Sequence, residues 1–302
     1  MLISADLLIK GAFIMEKPEL LTYLEALSNR QNCATDLQNE RRAVQKGYEA
    51  EFETYLDLMA QNFPAIILHD VLLRKSGTVQ IDLVVITSHH IRLLEIKNVE
   101  GTFHHRNDNF YKGTYKMERN FLLRSKNAFD VMDSILRDHR INLALERKVI
   151  FMNWNATLYG HDPQFPILMR PQWQGYLEEM EKSAGELTDY HTAIAKIILD
   201  SRPQTNPYQS KYDFTYEELE KGIWCSDCMG NKMTDKHRYL VCPKCRKVEA
   251  KLAGARRMLA DYVLLFPERR LTAGVLQDWC GGMVGETAAR KLVKQFKAQN
   301  RF

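Results

Sequence analysis

The chain has 302 residues, enough for a main domain and one or two smaller units. Its 45% apolar and 26% charged content is that of a globular protein, and no segment reaches the ~20 apolar residues of a membrane helix. The net charge of +4 is too small to demand a polyanionic partner, so the placement of charge matters more than its sum. The apolar start is interrupted by Asp6, Lys10 and Glu16 and lacks a basic leader or small-residue cleavage site, so no signal peptide and a cytoplasmic location are expected.

In chain order, residues 1–44 read as a helical lead-in, with Pro18 at the first turn of a helix reaching about Arg30. A second helix is expected from Val44 to Ala60, because Val44, Tyr48, Phe52, Tyr55, Leu56 and Met59 recur on one face. Three β-branched runs predict strands at Ile66–Leu73, Val79–Thr87 and Ile91–Asn98, with a turn at Gly77 and a short loop at Ser88–His90. Residues 101–120 form a polar stretch. A helix over Ser125–Asp138 and a strand over Lys148–Trp154 follow. Helices, strands, helix and strand in this order describe one α/β domain, a sheet covered by helices, over residues 45–200. Residues 155–171 read as loops, and helical periods return at Gln174–Ala184 and Tyr190–Leu199. Residues 201–223 read as a linker, turn-rich up to residue 213.

The sharpest chemical signal lies in the second and third strands. If they meet in a tight hairpin, Asp82 falls opposite Glu95, with Cβ atoms about 4.5–5.5 Å apart and on one face. Lys97, two residues beyond Glu95, shares that face. Close carboxylates repel unless a proton or cation sits between them. Their oxygens suit Mg²⁺ or Mn²⁺, and a lysine beside such an ion can orient the water that attacks a phosphate. A surface ion pair is the plain alternative. Nothing in the sequence assigns a role to His69, His89, His90, His104 or His105.

The runs KGYEAEFE, HDVLL, QIDLVVI and LLEIKNVEG, within about residues 45–155, resemble the nuclease-related domain (NERD) family, a branch of the PD-(D/E)xK nuclease superfamily. The resemblance implies a restriction-endonuclease-like mixed sheet flanked by helices. It also implies that Asp82 and Glu95 bind the metal, that Lys97 acts on the nucleophilic water, and that Glu51 completes the site from the preceding helix. Helical periodicity alone leaves Glu49 and Glu51 open. Gly47, Asn98 and Gly101 also match. Ala50 stands where a second helix glycine is expected, and no proline precedes Asp82. Asn120-Phe121-Leu122-Leu123-Arg124 replaces an Asn-Pro-x-x-Gln pattern.

Cys225-x2-Cys228 and Cys242-x2-Cys245 read as two knuckles of a Zn²⁺ ribbon over residues 224–248, too short to fold without its metal. Cys33 and Cys280 are expected as buried small residues. Residues 250–302 read as a helical module with segments at Gly254–Leu265, Thr272–Trp279 and Glu286–Ala298, the last two joined through Gly281–Gly282 in helix-turn-helix fashion. The last helix would offer Arg290, Lys291, Lys294 and Lys297 to phosphates and base edges, or simply to solvent. Together these features predict a metal-dependent nuclease acting on DNA, with ribbon and helices holding the substrate. The alternative is a protein that only binds nucleic acid through the same fold.

Overall fold

The computed structural model describes residues 15–31, 35–75, 77–107, 109–118, 120–202, 212–228 and 230–299. The expected start of the lead-in, Cys33, much of the linker and Arg301 lie outside the described residues. Two compact units emerge: one contains residues 46–202, and the other joins residues between 17 and 45 to residues 212–299.

Helices α1 (Glu19–Ser28) and α2 (Thr35–Ala60) precede strands β1 (Ile66–Arg74), β2 (Thr78–Ile86) and β3 (His90–Lys97). The strand bounds lie within a residue of expectation, whereas α2 begins at Thr35 rather than Val44. Strands β4 (Gly101–Arg106), β5 (Asn109–Lys112) and β6 (Tyr115–Lys116) come next, then helix α3 (Phe121–Asp138). Strands β7 (Ala144–Phe151), β8 (Ala156–Tyr159) and β9 (Ile167–Met169) and helices α4 (Arg170–Lys182) and α5 (Asp189–Asp200) complete the first unit. Residues 101–120, read only as a polar stretch, and 155–171, expected as loops, therefore hold five strands. Each is too short to display a period of its own and is recruited by neighbours.

The main sheet has the order β1-β2-β3-β7-β9 and is mixed: β1, β2 and β3 run antiparallel, while β3, β7 and β9 run parallel. Ile66, Leu68, Ile86 and Leu93 pack on one face against Met132 and Ile135 of α3 and Ile194 and Ile198 of α5. Leu83, Val85, Leu94 and Ile150 pack on the other against Leu58 of α2 and Trp173, Leu177 and Met180 of α4. Burial on both faces is why these strands read as nearly continuous apolar runs.

The parallel pair β3/β7 continues as the parallel pair β4/β8 in a second sheet of order β6-β5-β4-β8. Three hydrogen bonds of 2.9 Å carry the pairing across the gap: Met152 N to Lys97 O, Asn153 Nδ2 to Asn98 Oδ1, and Gly101 N to Asn155 O. Gly101 turns the chain at φ +104°, a conformation that disfavours any side chain. The inner face of the second sheet closes on an aromatic core of Phe103, Phe110, Phe121 and Phe151.

The second unit contains α1, strands β10 (Thr234–Lys236), β11 (Tyr239–Val241) and β12 (Val248–Ala250), and helices α6 (Lys251–Leu265), α7 (Ala273–Trp279) and α8 (Glu286–Gln299). The cysteine segment has no core to itself. Leu24, Leu27, Trp224, Leu240, Met258, Trp279 and Leu292 belong to one cluster that spans α1, β11 and all three helices. Arg30 is buried within it, its guanidinium 3.6 Å above the Trp279 ring and donating to the carbonyls of Glu220 and Gly222. Cys280 is buried as expected.

Candidate active site and metal centre

The site begins with an irregularity between β1 and β2. Their register is continuous from Ile66↔Ile86 to Arg74↔Thr78, except that Asp70 and Asp82, which should face each other, do not pair. Asp70 adopts φ +51°, a strained conformation for a residue with a side chain. The side-chain alternation changes phase there: Ile66 and Leu68, then Val71 and Leu73, all reach the same core. The Asp70 carboxylate is held by Gln80 Nε2 at 2.6 Å.

On the other side of β2, the β2/β3 ladder has the expected register but ends at Leu83↔Leu94. The next backbone donor of β3, Ile96 N–H, points to Asp82 Oδ2 at 2.6 Å. The Asp82 carboxylate thus takes the place of a main-chain acceptor. It does not meet Glu95 as a regular cross-strand pair, since the β2/β3 ladder has already ended, and Asp70 lies opposite it across β1. Glu95 instead pairs along β7 with Val149.

Lys97 ties the acids together. Its ammonium lies 2.6 Å from Glu95 Oε1 and 3.7 Å from Asp82 Oδ2, and it donates to Ile96 O at 3.0 Å. Glu51 enters from α2, bonded to His69 Nε2 of β1 at 3.0 Å, and its charge acts on Asp82. Glu49 is exposed, so the fold turns Glu51 toward the strands. Arg124, on the first turn of α3, approaches Glu95 Oε1 to 3.8 Å. The Asn120 side chain caps that turn by accepting from Leu123 N. Asn98 donates to Lys46 O of α2 at 2.8 Å, fixing the helix that carries Glu51 to the end of β3.

Burial dominates the electrostatics. It pushes the Asp82 carboxyl up, Glu51 adds to this, and Lys97, the Ile96 N–H and Arg124 oppose it. Glu95 is raised by burial and by Asp82, against Lys97 and Arg124. Burial alone would lower the Lys97 ammonium, but Asp82 and Glu95 outweigh it and leave the group above an ordinary lysine. Three carboxylates thus stand near two fixed cations, in surroundings that favour an added proton or metal ion.

Residues 46–152 match the family model of the nuclease-related domain. The chain carries a nuclease-related domain. No curated protein and no solved structure matches the chain. Within the nuclease-related domain, β2 and β3 bring Asp82, Glu95 and Lys97 together, while Glu51 of α2 and His69 of β1 form a neighbouring pair. Among the described residues only the four cysteines set three or more ligand atoms within 4.8 Å of one another. Sequence reasoning missed His69 and Arg124. The signal for Arg124 was its position, where the family pattern has glutamine; His69 gave none, since its partner is 18 residues away.

In the second unit the sulfurs of Cys225, Cys228, Cys242 and Cys245 all lie within 4.8 Å of one another. The closest approaches are 3.5 Å for Cys225–Cys245 and 3.4 Å for Cys228–Cys242. A tetrahedron of ~2.3 Å metal–sulfur bonds has edges of about 3.8 Å, so the cluster is of the right size for one tetrahedral ion. Backbone N–H groups of Cys245 and Lys244 help pull the Cys242 thiol down to about 6. On α8, Arg290, Lys291, Lys294 and Lys297 are exposed while Ala289, Leu292 and Val293 are buried. Arg290 is paired with Glu286. Thr272 caps α7 by accepting from Val275 N. No helix among the described residues is long and apolar enough to cross a membrane.

Proposed function

We propose that the chain is a metal-dependent nuclease that hydrolyses phosphodiester bonds in DNA. The observation that carries this reading is the convergence of Asp82, Glu95 and Lys97, at 2.6 and 3.7 Å, within a nuclease-related domain. The donor set suits a hard divalent cation, Mg²⁺ or Mn²⁺. It consists of carboxylate oxygens, already raised by burial and mutual repulsion and so poised to accept positive charge. Asp82 and Glu95 would hold the ion, with Glu51 at its edge. When bound, the ion would polarise the phosphate and acidify the attacking water.

The protein's own groups do the positioning. The Ile96 N–H fixes Asp82 Oδ2, the oxygen that also faces Lys97. Lys97, beside both acids, would orient the attacking water. His69 holds Glu51 in one rotamer, and Arg124 would meet the non-bridging oxygens of the phosphate. Zn²⁺ at the four cysteines would be structural, since four thiolates close its coordination. The exposed basic residues of α8 would contact the DNA backbone.

The test is incubation of the purified chain with supercoiled, linear and single-stranded DNA in Mg²⁺, Mn²⁺ or EDTA. Metal-dependent cutting should fall about a hundredfold or more in Lys97→Ala and in Asp82→Asn, as expected when a catalytic charge is removed. Cutting that survives both substitutions overturns the proposal. Absence of cutting on every substrate leaves the chain a nucleic-acid-binding protein.

A further inference from the structure

We infer that the outer face of the second sheet is a stacking platform for single-stranded DNA, which feeds the site proposed above and rests on that reading for its destination and for the choice of DNA over RNA. The cross-strand register sets Tyr159 of β8 beside His104 of β4, His104 beside Tyr111 of β5, and Tyr111 beside Lys116 of β6. Paired residues point to the same face, so three rings and an ammonium form one row across all four strands. Alternate residues Phe103, Phe110 and Leu158 fill the core beneath, so the row faces outward. Tyr159 is 56% exposed, and its ring stacks on His104 with centroids 5.5 Å apart and planes 23° from parallel.

Cross-strand ring contacts stabilise the sheet only modestly, and the adjoining charge indicates what covers the ring faces left on solvent. Arg106 and Lys116 lie on the same face, both exposed and in no ion pair among the described residues, and the four strands themselves contain no acid. Aromatic rings flanked by cations suit bases and phosphates of an unpaired strand, whose bases are free to stack. A duplex keeps its bases stacked on each other and offers no ring face. The platform also adjoins the site in the chain: β4 begins at Gly101, four residues after Lys97, and β8 begins at Ala156, five residues after the end of β7. The β4 end of the row thus lies close in the chain to the end of β3 where the acids converge.

The experiment measures fluorescence anisotropy of the full chain with a labelled 20-nucleotide single-stranded DNA, its duplex and the matching RNA, all in EDTA so that nothing is cut. Tyr159→Ala and Tyr111→Ala should each weaken single-stranded DNA binding about fivefold or more. Tyr159→Phe, which keeps the ring, should restore it, and duplex binding should not respond. Lys116→Glu should flatten the salt dependence. Unchanged affinity in a Tyr159→Ala/Tyr111→Ala double variant with wild-type melting temperature overturns the platform, as does preference for RNA or duplex over single-stranded DNA. The two proposals separate cleanly. Ring-dependent binding without any cutting sinks the nuclease and leaves the platform, and metal-dependent cutting of single strands with unchanged KM in the double variant does the reverse.

Discussion

Lys97 shares its ammonium between two buried acids, and the charge around it is nearly but not fully balanced. Arg124 supplies the second fixed cation, 3.8 Å from Glu95 and 43% exposed, so it can swing toward a bound phosphate without leaving a buried charge behind. Arg124→Ala should therefore lower kcat/KM for DNA cleavage by about tenfold or more, with Arg124→Lys intermediate, since a lost fork of donors is only partly replaced by a point charge. An unaltered rate would reduce Arg124 to a counter-ion. A second residue-scale effect lies in the other unit. Burial raises the Asp261 carboxyl to about 6 from its ordinary 3.8, against the pull of Arg30 and Arg257. Between those values the folded state keeps a proton that the unfolded state has lost, so stability from this group falls as pH rises and levels off above about 6. The gap of about two pH units corresponds to on the order of 3 kcal/mol. Denaturant titrations of Asp261→Asn against the wild type should show the variant gaining relative stability from pH 4 to pH 7. A pH-independent difference would contradict the assignment.

At the scale of elements, the site depends on places where regular structure stops. The β2/β3 ladder ends at Leu83 so that Asp82 can accept from Ile96, and the β1 strand bends at Asp70 directly opposite. The turn between α7 and α8 shows a similar dependence on backbone conformation. Gly281 and Gly282 both lie in the left-handed region, at φ +64° and +73°. A Cβ at Gly281 would come within 3.2 Å of Gly222 Cα, whereas one at Gly282 meets nothing within 4 Å. Gly282→Ala should cost about 1 kcal/mol from conformation alone. Gly281→Ala should cost roughly a further 1 kcal/mol, because backbone must move to admit the methyl group. Melting temperatures of the two variants give the comparison, and equal shifts would show that the close approach relaxes freely.

On the scale of the whole molecule, the cysteine cluster and the acidic site belong to different compact units. Cys225 and Cys242 share a core with Trp224, Leu240, Met258 and Trp279, so whatever holds the sulfurs also holds that core. Removing the ion with a strong chelator, or Cys228→Ser, should unfold the second unit cooperatively and leave the melting of the first unchanged. Calorimetry that resolves two transitions would check this. Loss of a signal confined to residues 225–245, with Trp279 still buried, would instead mark an autonomous ribbon.

The main strands, the helices that cover them, the two cysteine pairs and the trio Asp82, Glu95 and Lys97 were legible in the chain itself. Each is written locally, as apolar period, ligand spacing or a short motif whose residues lie within one hairpin. The β4–β6 and β8–β9 strands were not, because two to six residues carry no readable alternation and pair only once Phe103, Phe110 and Phe121 have found one another. Nor could periodicity choose Glu51 over Glu49, assign His69, or foresee that Asp82 would leave the ladder. Those outcomes turn on how α2 and β1 meet β2, contacts between residues distant in sequence. Local chemistry thus named the acids and the thiols, while packing decided which neighbours share their charge and which aromatic rings remain on the surface.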